Sequence, residues 1–144
     1  MAEIWPNEGL DIVLNIFPKG GTNLTTTFLT LFTTFTASTV GTAGNPADSY
    51  TEPSGGAFGR QTIVSGSWGA LAAGSGGGRA TTASQITFPT ATAVWGTING
   101  FWLANQLSAS GDSSLFAANF DDLTAVTINT NDVIKVTPTI QYNN

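Results

Sequence analysis

Along the chain, apolar residues alternate with threonine, serine and asparagine at a spacing of two far more often than they recur at the helical spacing of three and four. The densest window is Val94 to Ala104, where two tryptophans, a phenylalanine and aliphatic residues fall together. Each large aromatic removes roughly 150–250 Å² from water on burial, so this window predicts a central strand around which the core forms. From Thr97 onward, Ile98, Trp102 and Ala104 fall on one face and Thr97, Asn99, Phe101 and Leu103 on the other. Gly96 and Gly100 mark points where a bulge could occur. Both faces carry apolar groups, which predicts cover on both sides, by a second sheet and by a neighbouring subunit.

The same reading places a strand over residues 24 to 36. Phe28, Thr30 and Phe32 lie on one face there, and Leu29, Leu31 and Thr33 on the other. Shorter strands are predicted at Gln61 to Ser65, Ile86 to Phe88, Leu115 to Asn119 and Val126 to Ile128. A last strand from Val133 to Pro138 alternates Val133, Lys135 and Thr137 with Ile134, Val136 and Pro138. Near the start, Asn7 and Glu8 suit a helix N-terminus, and Leu10, Val13, Leu14 and Phe17 recur at helical spacing up to Pro18. Ile12, Val13 and Ile16 leave a strand through the same residues open. Turn-forming residues fill 37 to 59, with Asn45-Pro46 and Glu52-Pro53 as turn signals and Tyr50 and Phe58 as anchors. The glycine run 74 to 78 reads as a hairpin tip, and Asn129 to Asp132 as a turn. The expected fold is mainly β: an antiparallel β-sandwich or jelly-roll-like domain over residues 1 to 144, with a short N-terminal helix and a long loop at about 37–59.

Composition narrows what such a domain does. Only 9% of the 144 residues are charged, against about 25% in an average soluble domain, so much of the surface is hydroxyl, amide and backbone. That surface suits permanent contact with other chains. Four basic residues against nine acidic ones, a net charge of −5, supply no basic stripe for nucleic acid. There is no cysteine and no histidine. Thiolate metal sites, disulfides and histidine-based acid–base catalysis are therefore excluded. Asp121 and Asp122 are adjacent and point to opposite faces if extended, and Asp112, Asn119, Asp121 and Asp122 match no calcium-loop spacing. No cofactor, metal or catalytic residue is expected. Trp5 is the tryptophan most suited to exposure, whereas Trp68, Trp95 and Trp102 suit a core. No apolar run is long enough to span a membrane, and the first residues lack a secretory pattern, so the chain is expected to be made in the cytosol.

The order of several short motifs resembles small tailed-bacteriophage virion proteins, often labelled tail fibre proteins, some of which serve as capsid decoration. The motifs are Asn7-Glu8-Gly9-Leu10-Asp11, Phe28-Leu29-Thr30-Leu31-Phe32, Tyr50, and Gly59-Arg60 before a strand. They continue through Trp68, Trp95-Gly96-Thr97-Ile98-Asn99-Gly100-Phe101 and Asn131-Asp132-Val133-Ile134-Lys135-Val136. The resemblance implies a virion structural protein, first a capsid cement or decoration protein that stabilises the head. The alternatives are a tail or head fibre subunit, and then a carbohydrate-binding module on a fibre. A fibre shaft would repeat along its length, and no repeat is found. The expected partners are further copies of the chain, as a trimer, and the major capsid protein or another virion protein. Ile4, Trp5, Tyr50, Phe58, Phe28 and Phe32 are the candidate interface residues.

Overall fold

The computed structural model describes residues 3–4, 24–35, 50–74, 77–107, 114–119 and 125–142. In chain order the strands are β1 (Glu3–Ile4), β2 (Thr26–Phe32), β3 (Thr34–Phe35), β4 (Tyr50–Thr51), β5 (Gln61–Val64), β6 (Ala72–Ala73) and β7 (Arg79–Thr82). They continue with β8 (Ile86–Thr87), β9 (Gly96–Ile98), β10 (Gly100–Ala104), β11 (Ser114–Asn119), β12 (Val126–Ile128), β13 (Lys135–Val136) and β14 (Thr139–Tyr142). One 3-10 turn, Ser65–Ser67, follows β5. The chain is thus mainly β, as the period-two pattern predicts. The helix expected after Asn7 lies outside the described residues.

The largest sheet has the order β1-β11-β10-β2-β5, antiparallel throughout. Around it stand four small antiparallel sheets: β12-β9, β13-β8, β14-β7-β6 and β3-β4. Among the described residues an apolar cluster joins Leu29, Leu31, Ile63, Phe101 and Leu103 of the large sheet to residues of the facing segments. The facing residues include Phe88, Ala91, Trp95, Ile98, Ile128, Ile134 and Val136. Two layers closing over one core make the arrangement sandwich-like.

The alternation predicted for β2 and for residues 133 to 138 holds in the fold. Ile134, Val136 and Pro138 are buried, and Val133, Lys135 and Thr137 are exposed. Three expectations need correction. The window 94 to 104 is two strands in different sheets rather than one. Gly96 has φ +88 at the start of β9, and the chain leaves β9 at Asn99 to enter β10. Asn99 is tied there by its N–H to Phe32 O at 2.9 Å and by its side-chain amide, which donates to Thr33 O. One stretch of chain thereby serves both layers, because the break lets Trp95 and Ile98 pack from the facing side while Phe101 and Leu103 pack from the large sheet.

The second correction concerns what covers β10. All five of its residues are buried within the single chain, so β10 itself needs no neighbouring subunit on either side. The third concerns both ends of the chain order. The loop expected at 37–59 contains β4, paired with β3 through Thr34↔Thr51 and Phe35↔Tyr50, while its residues 37–49 lie outside those described. The last strand, expected over Val133 to Pro138, is confined to β13, after which β14 pairs with β7. Pro138 cannot donate a ladder hydrogen bond, and it separates the two.

Candidate interaction surface

The segment between β4 and β5, residues 52–60, brings together the polar groups the fold buries. On the face of the large sheet that carries Thr30 and Trp102, Arg60 is the residue opposite Thr30 if the β2–β5 register is extended by one position. Its Nε donates to Glu52 Oε1 at 2.8 Å and its Nη1 to Gln106 O at 2.9 Å. The guanidinium carbon lies 4.9 Å from the Trp102 ring centroid. Thr30 Oγ1 donates to the same Glu52 Oε1 at 2.5 Å. Side-chain exposure is 3% for Arg60 and 22% for Glu52, so the pair lies largely out of water. Arginine suits this place because its planar, permanently charged group stacks on an indole while its edge serves a carboxylate and a carbonyl.

Between those two residues the segment is fastened to the facing layer. Gly56 O accepts from Trp95 Nε1 at 2.8 Å and from Thr92 N–H at 3.0 Å. Gly56 has φ +58, and a Cβ built there would stand 2.9 Å from Ala93 N, Ala93 O and Trp95 Nε1. Only glycine fits such a place without a shift. Phe58 then stacks on Phe88, with ring centroids 6.1 Å apart, and meets Trp95 edge-on at 5.3 Å. The segment is therefore a strap fixed at Glu52, Gly56, Phe58 and Arg60.

This arrangement decides where the six candidate interface residues stand. Phe58 is half-buried against the chain's own aromatic core, Phe32 is 2% exposed, and Phe28 is half-buried on β2. Tyr50 pairs through its backbone with Phe35, and Ile4 with Ala117. Trp5 lies outside the described residues. Of the six, only Phe28, Phe32 and Phe58 have described side chains, and all three are at least half-buried. The large apolar side chains that do face solvent are Leu24, Val64, Leu71, Val94, Leu107, Val126 and Val133, with Leu71 the most open at 65%. The pattern of alternation missed the Glu52–Arg60 pair. Its signal was the rarity of charge: in a chain with four basic residues, one standing directly before an apolar strand calls for a partner.

Among the described residues no group of three or more metal-ligating side chains occurs, and no helix is long and apolar enough to cross a membrane. A family model described as Podophage GP4 fiber I protein gp80 matches residues 10–140. The chain belongs to this gp80 family. It is a phage virion structural protein of a fibre-related family, which agrees with the resemblance carried by its motifs. The match runs from before β2 into β14, so it covers the large sheet apart from β1, the strap and most of the small sheets. No curated protein matches the chain.

Proposed function

We propose that this gp80-family chain is a structural subunit of a podophage fibre. The family match over residues 10–140 carries this reading, and it favours a fibre over the capsid-cement role that the sequence motifs put first. The packing supports a compact fibre component rather than a shaft segment, because the described residues share one apolar cluster and the sequence shows no repeat. The subunit acts through surface contacts and not through chemistry. It works as a homo-oligomer, with trimer as the expected state, in contact with other virion proteins. The low charge supports this, since few desolvated charges oppose permanent assembly.

Electron microscopy of virions labelled with antibody against the purified chain tests the location. Label on fibres is expected; label spread over the capsomers of the head would overturn the fibre reading in favour of cement. Sedimentation equilibrium of the purified chain tests the assembly separately. A multiple of 14.8 kDa is expected, and a monomer at micromolar concentration ends the oligomer reading.

A further inference from the structure

Asn99 stands where β9 gives way to β10 and, across from it, β2 gives way to β3 at Thr33. Its backbone N–H and its side-chain amide both donate to that corner, to Phe32 O and Thr33 O. Thr33 is held in turn to β4, its N–H donating to Thr51 O at 2.8 Å and its hydroxyl to the same oxygen at 3.1 Å. One exposed asparagine thus ties together the large sheet, the β3–β4 pair and the passage to the facing layer. The next residue, Gly100, is buried and pairs with Phe32 on one side and Asn119 on the other. Asn99-Gly100 is the only Asn-Gly step in the sequence.

An asparagine followed by glycine carries its own electrophile and nucleophile. The glycine backbone nitrogen loses its proton to a base and attacks the asparagine Cγ, the side-chain nitrogen leaves as ammonia, and a cyclic imide closes. Glycine permits this because no Cβ stands in the path. Water then opens the imide at either carbonyl carbon. The product is aspartate, or isoaspartate, in which the main chain runs through the side-chain carbon and is longer by that carbon. Two features of the fold oppose the first step. The Asn99 amide is fixed on Thr33 O, so its carbon does not swing over the following peptide. The Gly100 nitrogen lies in the middle strand of the large sheet, where a base from solvent reaches it only if β10 parts from its neighbours.

We infer that Asn99-Gly100 is a one-way deamidation site, closed in the folded chain and opened by loss of the β10 junction. Conversion destroys what kept it closed. An aspartate at 99 presents Thr33 O with an acceptor where a donor stood, and an isoaspartate displaces β10 against β2 and β11 by the added carbon. A chain left open long enough therefore does not return to the same fold, because chemical change has outrun refolding. This holds for the isolated chain, wherever in the virion the chain sits.

The purified chain, held in mildly alkaline buffer with and without unfolding concentrations of guanidinium chloride, tests the site through mass spectrometry of the peptide that spans Asn99. Conversion in denaturant should be faster by roughly tenfold or more. After dilution, the fraction that fails to recover the native near-ultraviolet signal should grow with time spent unfolded and match the fraction converted at 99. Asn99→Ser keeps a hydroxyl donor and has no side-chain amide to lose, so it should refold to the same extent after short and long incubation. Asn99→Asp, which installs one product directly, should melt below Asn99→Ser. Equal conversion with and without denaturant would overturn the guarded site. So would full refolding of converted chains, a time-dependent loss of refolding that persists in Asn99→Ser, or an Asn99→Asp protein as stable as Asn99→Ser.

Discussion

The two faces of the large sheet are closed by different means. On one, Leu29, Leu31, Ile63, Phe101 and Leu103 meet the facing layer through apolar contact alone. On the other, Trp102 and Thr30 lie under an arginine and a glutamate that satisfy one another. An apolar face tolerates any well-packed cover, because burial is non-directional and scales with area. The polar cover is directional. It costs the desolvation of two charges, and it holds only if residues 52–60 follow one path. The second face therefore specifies the course of the strap, while the first supplies most of the stability.

Truncation gives the largest test of that contrast. Trp102→Ala and Leu103→Ala, neighbours on opposite faces and both buried, should each cost ~3–5 kcal/mol in urea unfolding. Trp102→Ala should lie at the upper end, because it also removes the ring beneath Arg60. A smaller loss for Trp102→Ala than for Leu103→Ala would show that the polar-covered face is not a second core.

Removing one charge comes next. Glu52→Ala leaves Arg60 buried without its carboxylate and should cost on the order of 3 kcal/mol, whereas Glu52→Leu combined with Arg60→Met should restore most of that stability. A double-mutant cycle over the wild type, Glu52→Leu, Arg60→Met and the double variant measures the coupling. If the double variant is no more stable than Glu52→Ala, the pair contributes more than mutual neutralisation.

Gly56→Ala probes the strap between its charged ends. A left-handed residue with three atoms 2.9 Å from the new Cβ should cost ~1–3 kcal/mol and shift the near-ultraviolet signal of Trp95, whose indole donates to Gly56 O. The smallest effect is expected outside both faces. Thr97 and Thr127 face each other across β9 and β12 as exposed hydroxyls 3.2 Å apart, and Thr127→Val should change stability by less than ~0.5 kcal/mol in thermal melting. A larger loss there would mean that exposed threonine pairs hold the small sheets together.

The positions read from alternation were those whose environment depends on one strand. Residues 133 to 138 and the two faces of β2 were legible because a period of two assigns each side chain to a side without reference to the rest of the chain. The turn at Asn129 to Asp132 was legible for a similar local reason: Asp132 Oδ2 accepts from Asn129 N–H at 2.7 Å, a bond closed within four residues. The candidate interface was less legible. Phe32 and Phe58 could be recognised as apolar anchors, but not that the chain buries Phe32 and packs Phe58 against its own core.

By itself the sequence determined that the chain is mainly β, which residues of its longer strands share a side, and that its chemistry is limited by the absence of histidine and cysteine. Tertiary structure alone decided that Val94 to Ala104 divides between two sheets, and that both sides of β10 are covered from within the chain. It also decided that Arg60 reaches Glu52. The physical reason is range. Periodicity says which side of a strand a residue occupies, whereas what lies on that side depends on groups far away along the chain: Glu52 is 22 residues from Thr30, Gly56 39 from Trp95, and Gln106 46 from Arg60.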